Sequence, residues 1–129
     1  MCRIDYCDDF WTLSGVRVSK ARKVHKCNEC RREIAPGEQY RRTSALIEGQ
    51  WDTFRACSHC MVAVAWLIKV CRGYVVEEVR EELEEHAQEY PAVAEALTDF
   101  AQRMENKWRS DDGVLMPIPQ PLPELVLVS

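Results

Sequence analysis

Cys27-Asn28-Glu29-Cys30 and Cys57-Ser58-His59-Cys60, with twenty-six residues between them, form the stretch on which the reading of this chain turns. Zinc takes four soft, deprotonated ligands at tetrahedral corners about 2.3 Å away, and two cysteines spaced by two residues let one tight turn present both sulfurs to one ion. Two such pairs complete the shell, so Cys27, Cys30, Cys57 and Cys60 are the predicted ligands of one Zn²⁺. Four thiolates leave no coordination position for a water, which makes the site structural rather than catalytic. The competing readings are a redox dithiol and disulfides. A redox Cys-x-x-Cys belongs after a strand in a βαβ unit, and no such pattern is visible around either pair.

The chain has 129 residues, 47% of them hydrophobic, which suits one small domain or a metal-pinned unit with an extension. A unit as short as the cysteine-bearing half buries little core, so metal binding would supply much of its folding free energy. Met1-Cys2-Arg3-Ile4-Asp5 opens no apolar run of the secretory type, and seven cysteines are an odd number for a disulfide framework. Both features predict a reducing cytosol, where thiols hold metal in preference to pairing.

Charge is divided along the chain more sharply than the net value of -4 suggests. Between Arg17 and Arg42 there are nine basic residues against three acids, whereas Glu77 to Asp112 holds twelve acids against four bases. This predicts a molecule that is basic around the metal and acidic along its later helices. Part of the basic excess offsets the site itself, since Zn²⁺ with four thiolates carries about -2.

Taken in order, residues 1–16 hold Cys2, Cys7, three aspartates and Phe10-Trp11. Cys2 and Cys7 are candidates for half of a second metal site, completed by Cys71, His25 or His59; the plainer reading is an arm that docks its aromatics on the core. Arg17 to Lys26 reads as a short solvated strand, or as an arm that tracks phosphates through Arg17, Lys20, Arg22, Lys23 and Lys26, joined by Arg31 and Arg32. Pro36-Gly37 signals a turn. Residues 39–47 and 50–56 read as paired strands joined at Glu48-Gly49, with Tyr40, Trp51 and Phe54 expected to cover the metal. The second cysteine pair then opens a helix from Ser58 to about Arg72, apolar nearly all round and ended by Gly73, with Cys71 expected as a buried thiol. That helix is too short for a membrane span.

His25-Lys26-Cys27-Asn28-Glu29-Cys30, then Gly37-Glu38-Gln39-Tyr40, a hairpin bearing Trp51, and a Cys57-x-x-Cys60 that starts a helix resemble the treble-clef zinc fold. With Met1-Cys2 at the start, residues 1–75 are similar to small zinc-finger proteins of bacteriophages and prophages, mostly uncharacterised. The chain departs from that pattern at Arg31, where a glycine often follows the second cysteine. The resemblance implies an α+β fold with a treble-clef-like zinc unit, a host-cytosol location, and an accessory role in modulating a host protein.

Val76, Val79, Leu83 and Ala87 recur at helical spacing among glutamates, and Val93, Leu97, Phe100, Met104 and Trp108 form a second stripe after Tyr90-Pro91. Residues 75–89 and 91–109 are therefore expected as a helical hairpin. Pro117, Pro119, Pro121 and Pro123 forbid a helix and predict an extended tail, lying either along this domain or on another protein. The organisation is thus a zinc unit over 1–74, a helical extension over 75–110 and a proline-rich tail over 111–129.

Catalysis finds little support in this pattern. Only His25, His59 and His86 are present, none with the neighbours a His-Asn-His nuclease needs, and Ala56 precedes Cys57 where a zinc deaminase has proline. The expected function is a non-catalytic, zinc-stabilised binding protein with a protein partner and no membrane contact. Its alternative is a zinc-finger protein that binds nucleic acid through the basic region 17–42.

Overall fold

The computed structural model describes residues 11–124. Three antiparallel strands, β1 (Trp11–Lys20), β4 (Gln39–Ile47) and β5 (Gln50–Cys57), form a sheet in the order β1-β4-β5. Two short strands, β2 (His25–Lys26) and β3 (Glu33–Ile34), pair as a separate ribbon that carries the first cysteine pair. Helix α1 (Ser58–Cys71) leaves directly from β5, and α2 (Val79–Glu89) and α3 (Ala94–Glu105) follow, with a 3₁₀ turn at Pro91–Val93 between them. The architecture is α+β. Among the described residues, no helix is long and apolar enough to cross a membrane.

Local chemistry accounts for most of these boundaries. Glu48 and Gly49 both take positive φ, 50° and 82°, the two-residue turn whose twist matches the strands it joins. At Gly37 φ is 95°, and Glu38 N–H donates to the Ala35 carbonyl at 3.1 Å, as a type II turn after Pro36 requires. Alternation along β4 sends Tyr40, Arg42, Ser44 and Leu46 to one face of the sheet and Arg41, Thr43 and Ala45 to the other. Thr43 and Ala45 are buried, and the Arg41 guanidinium lies 5.8 Å from the centre of the Tyr74 ring, so the second face is the packed one.

One apolar cluster runs through the molecule. It joins Ile34 and the four cysteines of the knuckle to Ala63, Val64 and Leu67 of α1, then to Val79, Leu83, Leu97, Phe100, Met104 and Trp108 of the helical extension. The helical spacing of these residues is what packs α2 on α3 and α2 on α1.

Several expectations shift. The basic stretch 17–26 is two elements: β1 reaches back to Trp11, and the chain bends at 21–24 before β2. Helix α1 closes on Arg72 in the left-handed region at φ 64°, not on Gly73. Residues 75–78 are a loop with Glu77 at φ 68°, so α2 starts four residues later than the apolar spacing suggests. Helix α3 stops at Glu105, because Lys107 and Trp108 both take positive φ and fold Trp108 back into the core.

Candidate metal centre

The two cysteine pairs meet. One sulfur from each of Cys27, Cys30, Cys57 and Cys60 lies within 4.8 Å of the other three, and all four residues are buried. For a tetrahedron with metal–sulfur bonds of about 2.3 Å, the sulfur–sulfur edge is about 3.8 Å. Cys30 Sγ and Cys57 Sγ stand 3.8 Å apart. The donor set, its spacing and its burial therefore fit one tetrahedral thiolate-bound ion, and among the described residues this is the one group with metal-ligand geometry.

Each pair is presented by a turn that also satisfies its charge. In the knuckle, Cys27 N–H donates to Arg32 O at 2.9 Å and Arg31 N–H to Cys27 O at 3.0 Å, which closes the loop. The amides of Glu29, Cys30 and Cys57 all point at Cys27 Sγ, at 3.4, 3.5 and 3.3 Å. Cys57 is the N-cap of α1 and Cys60 lies in its first turn, so both sulfurs sit at the positive end of the helix. Hydrogen bonding from Cys30 holds the Cys27 thiol below its ordinary range, and bonding from Cys27 does the same for Cys57. Cys30 is pushed up by its bond to Cys27, and Cys60 by burial. Crowded thiols thus push one another's proton affinities apart, and a dication in their midst would let all four ionise.

Around the sulfurs lies a polar layer that the sequence reading missed. Arg32 is 3% exposed and makes a two-point contact with Glu38, Nη2 to Oε1 at 2.9 Å and Nη1 to Oε2 at 3.2 Å, while Nη1 also donates to Glu33 O at 2.8 Å. Its Nη2 stands 3.1 Å from His59 Nδ1, and His59 Nε2 stands 2.6 Å from Met116 O. A guanidinium only donates and a carbonyl only accepts, so His59 must be the neutral tautomer with its proton on Nε2. Burial works against the Arg32 charge, but Glu38 and the nearby Cys57 more than offset it and raise its pKa. Arg32 is thus turned inward, and is not placed to contact a polyanion as the basic-region reading expects.

The other candidates fall in different places. Arg17, Lys20, Arg22, Lys23, Lys26 and Arg31 are exposed, and Arg31 pairs with Glu77 at 3.3 Å. Lys26 and Arg31 share a cleft of about 480 Å³ with Lys107 and Arg109, which come from the acidic half of the sequence and carried no signal of this placement. His25 lines the same cleft, and its ring lies 5.3 Å from that of Tyr40. Its pKa is lowered by burial and by the charges of Arg55, Lys23 and Arg42. Trp51, expected over the metal, is 57% exposed instead. It stands opposite Leu46 at the far end of the hairpin, whereas Tyr40 stands opposite Cys57.

Cys2 and Cys7 lie outside the described residues, so the second-site expectation is not placed. Of its suggested partners, His59 is committed to Arg32 and Met116, and Cys71 is disulfide-bonded rather than the free buried thiol expected. Farther from the metal site, Trp66 Nε1 donates to Pro123 O at 2.8 Å and Lys69 meets Glu124 at 2.6 Å, so the chain up to Glu124 lies along α1. A cleft of about 640 Å³ remains between them, bordered by Met61, Val62, Val70 and Leu122. Comparison of the chain with protein-family models, curated proteins and solved structures finds no match.

Proposed function

We propose that this is a non-catalytic binding protein whose shape depends on one structural Zn²⁺ held by Cys27, Cys30, Cys57 and Cys60 in a treble-clef-like arrangement. The observation that carries the reading is the closed set of four buried sulfurs, one edge of which has the length that zinc demands. Four thiolates fill a tetrahedral shell, so the ion has no place for a reacting water. The nearest imidazole, His59, has both ring nitrogens committed, which supports a structural role for the surroundings as well.

The partner is a protein, and the role is that of a phage accessory protein that binds and modulates a host protein in the cytosol. Support for this comes from the resemblance carried by residues 1–75 and from α2, whose exposed Glu81, Glu84, Glu85 and Glu89 suit a basic partner surface. Native mass spectrometry should find one zinc per chain. Cys27→Ser should lose it together with the native circular dichroism, because that sulfur accepts three backbone amides as well as binding metal. Retention of fold without metal would remove the structural-zinc reading. A specific host protein should be captured by the zinc form, and its absence from pull-downs would remove the partner.

A further inference from the structure

Arg17, Arg42 and Arg55 stand directly opposite one another across β1, β4 and β5. Facing residues on neighbouring strands have Cβ atoms about 5 Å apart, and like charges in that position destabilise a sheet. Alternation gives all three the same face, so Arg42 has a cation on either side. No acid occupies that face at positions 15–19, 40–46 or 51–57. Among the described residues, no carboxylate is within ion-pair distance of any of the three. The Arg55 Nε is buried and has no hydrogen-bond partner. Three arginines aligned with no counter-charge among the described residues leave a place for an anion.

The same face carries an aromatic. Trp51 and Arg55 are four residues apart on β5, hence on one side of the sheet and about 13 Å apart, with Thr53 and Ser44 between. Trp51 is 57% exposed, an unusual position for so large an apolar ring. At the other end His25 lies tilted against Tyr40, with ring centres 5.3 Å apart, and it also borders the cleft of Lys26, Arg31, Lys107 and Arg109, so positive surface continues beyond the sheet.

We propose that this sheet face binds the backbone of a single-stranded polynucleotide, with the arginine row on phosphates and Trp51 stacked on a base. Cations alone suit any polyanion. An exposed indole farther along the same face favours unpaired bases over an acidic protein segment, because stacking needs a base whose face is open. The contacts are to backbone and ring faces, so recognition is tolerant of sequence. This site goes beyond the protein-partner reading and uses only the folded sheet.

Fluorescence anisotropy of a labelled mixed-sequence oligonucleotide of about twelve nucleotides, a length within the usual footprint of such surfaces, tests it on the zinc-loaded chain. Affinity should fall with salt, with a slope of about -0.7 for each phosphate engaged, hence about -2 for the arginine row. Arg42→Ala should weaken binding and reduce that slope by about 0.7. Trp51→Ala should weaken binding at least about fivefold and leave the slope unchanged. Thermal melting of Arg42→Ala should be unaltered or higher, since a repelled charge is removed, and zinc content should stay at one per chain. Lack of binding at about 50 mM salt, wild-type binding by both variants, or equal competition from a polyglutamate peptide or a duplex of the same length would each overturn the proposal. None of those outcomes bears on the metal, which the parallel zinc measurement reads separately.

Discussion

Arg32 shows how much one side chain can hold in this molecule. A guanidinium sealed from water is costly unless its donors are filled, and here the two terminal nitrogens reach Glu38, the Glu33 carbonyl and His59, while Nε is buried without a partner. Its charge also stands beside Cys57 of the four-cysteine cluster. Arg32→Ala would strand the Glu38 carboxylate and the His59 acceptor together. A loss of about 3 kcal/mol in urea unfolding is expected, at the low end for buried pairs because the Glu38 side chain stays 25% exposed. A loss under about 0.5 kcal/mol, the size of an ordinary surface change, would mean that the contacts add nothing. Arg31, its neighbour in sequence, behaves oppositely: it adopts φ 70° at a position that suits glycine and turns its side chain to solvent.

At the scale of elements, the knuckle and α2 are clasped by one carboxylate. Glu29 accepts from Glu77 N–H at 2.8 Å and from Val79 N–H at 3.2 Å, which caps a helix that has no side-chain cap of its own. Burial pushes the Glu29 pKa up to about 7, against the pull of those two amides. Glu29→Ala should cost about 1–2 kcal/mol and speed amide exchange in the first turn of α2, with Glu29→Gln recovering part of the loss. Unchanged exchange at Val79 would show that the clasp is incidental. The segment along α1 is a second such element. Ending the chain after Met116 keeps the His59 contact but removes the Trp66–Pro123 bond and the packing of Leu122. A stability loss of about 2 kcal/mol and new binding of an apolar dye at α1 are expected. A melting temperature equal to that of the full chain would show that this strap contributes nothing.

For the whole molecule, the continuity of the core is the deciding feature. Ile34 and the cysteines of the knuckle belong to the same buried cluster as Leu83, Leu97 and Trp108 of the helices. Metal removal should therefore unfold more than the knuckle. With a chelator, calorimetry should show one cooperative transition at a much lower temperature rather than two separate ones. A helical transition that keeps its melting temperature while the sheet signal is lost would mean that the two halves are independent. Charge is divided at this scale too, with the unpaired arginine row on the sheet and the exposed glutamates on α2.

Much of this was legible in one dimension because its causes are local. The spacing within each cysteine pair, the Glu48-Gly49 turn, the alternation of β4 and the apolar period of the helices are set by residues a few positions apart. The early start of β1 was not legible, because that strand is made by pairing with β4 rather than by its own pattern. The inward turn of Arg32 and the arrival of Lys107 and Arg109 beside the knuckle were hidden for the same reason. A basic residue carries no mark of burial until the partner that satisfies it, here Glu38 and His59, is brought to it in space. Residue types and their periods determined the four-cysteine set and most of the elements. Only the tertiary structure decided which charges are neutralised inside and which three are left facing one another across the sheet, because electrostatic partnership depends on distance in space and not along the chain.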